Sequence, residues 1–282
     1  MSNKILVTGA TGNIGREVVK ILKEENVNFI AASTGGSIEG VNSIAVDFAD
    51  AGSVKKAMEG VSTVFMLLAS HPDMITWGET IIDAAKKSGV KHIVRSGGSL
   101  SDATSDIGIC QALAQTDQYL KDSGIDYTIT APNFFMQNFI NFYMDDIKNG
   151  ALYLPAGDGK MSWVDVRDIA AVNVAVLLDP KKYRNQTLTI TGPEALSYTD
   201  TTSVFSRVLG KDVNYVSISY EDAIKAMTEM QFPEFVITLM IDLFKCVKAG
   251  NADHTTSTVK GITGREPISF GQFVQDNKAV WI

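Results

Sequence analysis

The feature that most restricts the fold lies near the start of the chain. The strand-length run Ile5-Leu6-Val7-Thr8 leads without a spacer into Gly9-Ala10-Thr11-Gly12-Asn13-Ile14-Gly15. Beyond it, Ile14, Val18, Ile21 and Leu22 recur at helical spacing and predict a helix over 14–25. Strand, glycine turn and helix in that order form a dinucleotide fingerprint. Gly9 permits the tight turn, Gly12 lets backbone approach a pyrophosphate, and Gly15 lets helix pack on strand. Amides at the helix start and the positive end of its dipole then hold the phosphates. The expected contacts are Gly9, Thr11, Gly12, Asn13, Ile14 and Gly15.

The same alternation continues through the first half of the chain. Apolar, β-branched runs predict strands at 5–8, 29–33, 43–47, 63–68, 92–96 and 127–131, and helices at 54–58, 76–87 and 110–121 lie between them. Repeated βαβ units give an α/β fold, a Rossmann-type doubly wound parallel sheet. After Pro132 come an aromatic stretch and a Gly/Pro-punctuated segment. A helix at 166–178 and a strand at 187–191 then return to the main sheet. The remainder, 192–282, reads as mostly helical with one strand near 214–218. The expected division is a dinucleotide-binding domain at 1–132, completed by 161–191, and a smaller, mostly helical substrate lobe at 133–160 and 192–282.

Ligands of open parallel sheets bind at the carboxyl ends of the strands. That rule adds Ser33 and Thr34 after the second strand, Asp47 and Phe48 after the third, Leu67, Leu68, Ala69 and Ser70 after the fourth, and Ser96 and Gly97 after the fifth. An NAD site often carries a carboxylate after the second strand, and an NADP site an arginine. Neither is present, so NAD(H) and NADP(H) both remain open. The lack of a carboxylate to repel a 2′-phosphate tilts the choice toward NADP(H).

Composition narrows the partners. With 25 Lys and Arg against 32 Asp and Glu, the 282 residues carry a formal charge of -7, which argues against nucleic acid as a ligand. Cys110 and Cys246 stand far apart, outside any metal-ligand spacing, and are expected to be buried thiols, with no metal site. The first apolar run is too short for a signal peptide and the longest later one too short for a membrane span, so a cytoplasmic location is the expectation.

Several further motifs occur in order: Ala84-Ala85-Lys86-Lys87-Ser88-Gly89-Val90-Lys91-His92, Gly124-Ile125-Asp126-Tyr127-Thr128, Asn133-Phe134-Phe135-Met136-Gln137-Asn138, Trp163-Val164-Asp165-Val166-Arg167-Asp168-Ile169-Ala170, Thr191-Gly192-Pro193-Glu194 and Gly264-Arg265-Glu266-Pro267. With Thr8-Gly9-Ala10-Thr11-Gly12 they make the chain resemble the NmrA-like branch of the atypical short-chain dehydrogenases/reductases. Within it the chain looks most like bacterial quinone and triphenylmethane-dye reductases. The branch also includes dinucleotide redox sensors that act on a protein partner, and sugar-nucleotide epimerases are more distant relatives.

That resemblance implies a test. Ordinary members of the wider superfamily protonate a carbonyl with a tyrosine whose pKa is lowered by a lysine four residues on. None of the 8 tyrosines here is followed by lysine at that spacing. Reducing a ketone leaves an alkoxide that needs a proton donor. A quinone that accepts hydride leaves a phenolate-like oxygen, whose pKa lies near that of tyrosine, about 10. The expected function is therefore NAD(P)H-dependent reduction of a quinone-like or conjugated aromatic acceptor, with no catalytic residue assigned. A non-catalytic redox sensor is the competing reading and an epimerase the third. The candidate acceptor pocket comprises His71, Trp77, Asn133, Phe134, Phe135 and Asn138. The aromatic run through Phe139, Phe142 and Tyr143 fits either a pocket wall or a core stripe. Asp165 and Asp168 are expected to cap a helix, and the 232–247 segment to serve as a lid or a homodimer contact.

Overall fold

The expected alternation resolves into one large sheet and its flanking helices. A computed structural model describes residues 4–282. It runs β1 (Lys4–Val7), α1 (Asn13–Glu24), β2 (Phe29–Ser33), β3 (Ser43–Ala45), α2 (Ala51–Ala57), β4 (Val61–Leu67), α3 (Met74–Lys87), β5 (His92–Ser96), α4 (Gly108–Asp122) and β6 (Asp126–Pro132). Then follow α5 (Asn138–Asn141), α6 (Met144–Asn149), β7 (Ala151–Leu154), β8 (Lys160–Met161), α7 (Val166–Leu178), β9 (Gln186–Ile190), β10 (Leu196–Ser197) and α8 (Tyr198–Leu209). The chain ends with β11 (Asn214–Ser217), α9 (Tyr220–Glu229), α10 (Glu234–Lys248), α11 (Thr258–Thr263) and α12 (Phe270–Asp276).

Seven strands form the main sheet in the order β3-β2-β1-β4-β5-β6-β9, and the pairings from β3 through β6 are parallel. This is the Rossmann-type doubly wound arrangement, with the strand order reversing between β1 and β4. Ile5, Leu6 and Val7 are all buried, as expected of a strand covered on both faces. On one face Leu6, Val64, Met66, Ile93 and Ile129 join Ile81, Ile82 and Ala85 of α3 and Leu120 of α4 in a single core. Each of these side chains larger than Ala85 contributes about 1.5–3 kcal/mol by leaving water.

Two boundaries depart from the sequence expectation for local reasons. β3 stops at Ala45 because the chain then leaves the ladder, the Asp47 amide donating to Ser53 Oγ at 3.0 Å. α2 starts three residues before the first apolar position of its stripe, because the Asp50 carboxylate accepts from the Gly52 amide at 2.8 Å and caps it.

The chain divides into two compact units. The first comprises residues up to Thr104, Cys110–Ala131 and Ile169–Thr189; the second comprises Ser105–Ile109, Pro132–Asp168 and Ile190–Ile282. The stretch 161–168, expected with the first, falls in the second. The second unit holds two small sheets, β10 with β8 antiparallel and β11 with β7 parallel. The expectation of one strand within 192–282 is thus corrected: β10 spans two residues, too few to show alternation. Phe139 is fully buried in this unit, with ring centroids 4.9 Å from Trp163, 5.0 Å from Phe270 and 5.4 Å from Phe205. Phe139 and Tyr143 are therefore core, while Phe142 is exposed. Both cysteines are buried and neither is in a disulfide. Among the described residues, no helix is long and apolar enough to cross a membrane.

A buried histidine ties the first unit together. Thr128 Oγ1 donates to Tyr183 O at 2.9 Å, so it accepts from His92 Nε2 at 2.9 Å, which fixes the neutral Nε2–H tautomer. Burial pulls the His92 pKa down from 6.5 to about 4, against the opposing pull of Asp126. The folded state therefore resists a proton that the unfolded chain accepts. Stability is therefore full above pH 6.5 and falls as the pH drops toward about 4, the window in which the unfolded chain binds the proton and the folded chain does not. Urea denaturation across that window should show stability falling with pH, with a shallower slope in His92→Asn. Equal slopes in both proteins would contradict this assignment.

Candidate functional site

The glycine turn joins β1 to α1 at the carboxyl edge of the sheet. Gly9 has φ +63°, in the left-handed region, and a Cβ there would meet the Leu67 side chain and carbonyl at 3.0 Å. A Cβ on Gly15 would lie 2.0 Å from Gly9 O, so α1 rests on the turn with room for hydrogen only. Gly12 differs: its Cβ would meet only Gly9 O, at 3.4 Å, and Thr11, Gly12 and Asn13 are exposed. Gly12 is the N-cap of α1, no side chain caps it, and the first turn holds no acidic residue. The amides at this helix start thus have no side-chain partner, while Ile14 and Gly15 pack inward.

Thr8 was part of the motif but not a site expectation, and it is what fixes the turn. Its hydroxyl donates to Leu67 O at 3.0 Å and accepts from Leu67 N at 2.9 Å, sewing the end of β1 to the end of β4. Leu67 and Leu68 are half-buried beside the turn, and Ala69 and Ser70 are exposed. Ser33 is buried at the end of β2 and Thr34 is exposed. The Asp47 carboxylate accepts from the Ala49 amide at 2.9 Å, closing a local turn. After β5, Ser96 is buried and its Oγ has no hydrogen-bond partner; Ser99 Oγ is likewise buried and unpartnered. The Gly97 amide donates to Thr130 O at 2.8 Å.

The acceptor-pocket candidates divide between the two units, His71 and Trp77 in the first and Asn133, Phe134, Phe135 and Asn138 in the second. His71 stacks on Trp77 with centroids 4.4 Å apart and planes at 15°, and Phe48 lies 6.2 Å from Trp77. One aromatic cluster thus unites a residue expected among the cofactor contacts with two expected at the acceptor. Asn133 is corrected. It is 2% exposed, its Nδ2 donates to Ala252 O at 3.0 Å and its Oδ1 accepts from the Phe134 amide at 2.7 Å, so it braces backbone rather than orienting a ligand. Phe134 and Phe135 are half-buried; the first packs edge-on to Trp163 at 5.9 Å and the second bridges to Val164. Asn138 is half-buried at the start of α5.

The Asp165–Arg167–Asp168 cluster is structural. Asp165 is fully buried and grips the Arg167 guanidinium at 2.7 Å, while buried Asp168 accepts from the Ile268 amide at 2.7 Å and pairs with Arg265 at 2.9 Å. Also in the second unit, Ile224, Phe232, Ile237 and Ile241 line a groove of about 590 Å³, with Asp242 and Lys245 among its polar residues. Sequence reading missed one charged pair, Arg95 with Asp117, at 2.7 Å in the sheet core. Burial lowers the Arg95 pKa and Asp117 opposes that shift.

Sheet order and glycine turn together define a Rossmann-type α/β protein of the dinucleotide-fingerprint class. The sequence matches the NmrA-like family over residues 1–266, and the chain belongs to that family. It is 35% identical to NAD(P)H azoreductase of Xenophilus azovorans over 98% of this chain and 99% of that protein. It is 23% identical to quinone oxidoreductase 2 of Escherichia coli (strain K12), covering 96% and 97% of the two. The solved structure of Citrobacter sp. triphenylmethane reductase complexed with NADP(H) superposes with a TM-score of 0.86 at 23% identity, over 97% of this chain and 99% of that one, and shares the fold.

The two helix-side glycines should separate in stability. Gly15→Ala forces α1 off the turn and should cost at least about 2 kcal/mol in urea denaturation. Gly12→Ala has ordinary space and should cost under about 1 kcal/mol. Equal effects would contradict the close approach of α1.

Proposed function

We propose that this chain is an NAD(P)H-dependent reductase that passes hydride to a quinone-like or conjugated aromatic acceptor. The observation that carries the reading is the exposed, uncapped start of α1 at Thr11-Gly12-Asn13. The Gly12 amide is spent on Gly9 O at 3.0 Å, but the Asn13, Ile14 and Gly15 amides and the helix dipole suit a pyrophosphate, and Gly12 leaves the space that phosphate needs. Thr8 and Leu67 hold that turn rigid. Ser33 and Thr34 stand at the adenosine ribose with no carboxylate between them, which favours NADP(H) over NAD(H). A relative solved with NADP(H) supports that preference. Asp47 and Phe48 face the adenine, and Ser96 and Gly97 the nicotinamide. Once bound, the dinucleotide supplies the hydride.

The tyrosines bear on the acceptor class. Burial pushes the Tyr143 phenol up to about 12 and raises Tyr198 well above its ordinary value. Tyr119, on α4, donates to Asp83 at 3.0 Å, and that bond raises its pKa too. Tyr215, half-buried, is raised in the same way, so these four phenols are all less acidic than usual, away from the acidity a proton donor needs. Acceptors whose product anion is itself stable, such as quinones, fit a site that positions without protonating. The names of the azoreductase and quinone-reductase relatives support this acceptor class. The second unit serves as the substrate lobe, and its groove of about 590 Å³ has the volume of a small-molecule site.

Stopped-flow oxidation of NADPH against quinones, azo dyes and cationic triphenylmethane dyes tests the reading. Acceptor-dependent oxidation is expected; NADPH binding without oxidation by any acceptor would support a sensor instead. Gly12→Val should keep its melting temperature yet weaken NADPH about tenfold to a hundredfold by calorimetry, through loss of charge-assisted amide contacts.

A further inference from the structure

The sheet carries an arginine where its neighbours call for an apolar residue. On β5, Arg95 is 1% exposed and its side-by-side partners are Met66 on β4 and Ile129 on β6, both members of the apolar core. A buried ion pair is seldom more stable than an apolar pair of similar volume, so stability alone does not account for Arg95. What the pair does is visible in its tethers.

Arg95 Nε meets Asp117 Oδ1 of α4 at 2.7 Å, and Arg95 Nη2 donates to Leu113 O at 3.3 Å. The second carboxylate oxygen of Asp117 accepts from Ser101 Oγ at 2.7 Å. At the near end of the same loop, Gly97 lies over the pair: a Cβ there would be 3.5 Å from Asp117 Oδ1 and 3.7 Å from Arg95 Cζ. Both ends of the segment 97–101 therefore rest on one buried charge pair. Ser96 and Ser99, just before and within it, are, among the described residues, the two serines whose buried hydroxyls have no hydrogen-bond partner.

We infer that Arg95 and Asp117 are positioning residues that hold the 96–101 loop for the nicotinamide half of the cofactor. Ser96 and Ser99 then offer their free hydroxyls to its carboxamide, a group that both donates and accepts. Ser101 is the hook that joins loop to pair. The inference rests on the dinucleotide reading above and assigns a specific half of that ligand to a specific loop.

The double variant Arg95→Met/Asp117→Leu removes both charges together and leaves neither buried alone. Calorimetry would compare NADPH with adenosine 2′,5′-bisphosphate, which lacks the nicotinamide. The expected result is an unchanged melting temperature, about tenfold or greater weakening of NADPH, and unchanged affinity for the bisphosphate. A folded double variant that loses both ligands equally, or neither, overturns the inference alone. An unaltered chain that binds neither ligand overturns the dinucleotide reading, and this inference falls with it. Should the double variant not fold, Ser101→Ala decides, since it keeps the pair and cuts only the hook. It should weaken NADPH about threefold to tenfold with the bisphosphate unaffected, and unchanged NADPH affinity would overturn the assignment.

Discussion

Everything at the carboxyl edge depends on how closely α1 approaches the turn that precedes it. Gly9 O and the Cα of Gly15 are so near that no side chain fits between them. That contact sets where the helix starts, and the helix start sets where its free amides lie. Leu67 presses on the other side of Gly9, and the Thr8 hydroxyl locks β1 to β4 at that level. The turn is thus held by packing on one side and hydrogen bonds on the other, and a ligand meets preformed backbone rather than a loop that must be ordered.

Polar groups in the molecule sort by whether their hydrogen bonds are already spent. Asn133 looks like a site residue in a sequence, yet it is buried and committed to backbone, and Asp165 and Asp168, expected as caps, are buried and committed to backbone and to an arginine. Among the groups that keep capacity are the Asn13, Ile14 and Gly15 amides and the hydroxyls of Ser96 and Ser99. They sit at the ends of β1 and β5, the strands that flank β4 in the sheet. A dinucleotide spanning that edge would satisfy all of them.

Much of the fold was legible because its signals are local. Phe29–Ser33, His92–Ser96 and Val166–Leu178 form as their apolar periodicity predicts. The glycine fingerprint carried the turn, since each glycine answers a steric demand made within a few residues. What stayed hidden depends on partners distant in the chain. The brace made by Asn133 needs Ala252, and the cluster of Phe48, Trp77 and His71 forms only once β3 and β4 lie in one sheet. Arg95 reads as one charge within a strand, and nothing local says that Asp117 and Ser101 meet it. The short strands β8 and β10 hold two residues each, too few for a periodic signal.

The central claim is that the turn at the start of α1 holds a dinucleotide. A fluorescence titration of NADPH with the purified chain tests it directly, because nicotinamide emission changes when the ring leaves water. Saturable binding at one NADPH per chain, displaced by NADP but not by free nicotinamide, is the predicted result. Emission that stays unchanged at every chain concentration, with no heat in a parallel calorimetric titration, would contradict it.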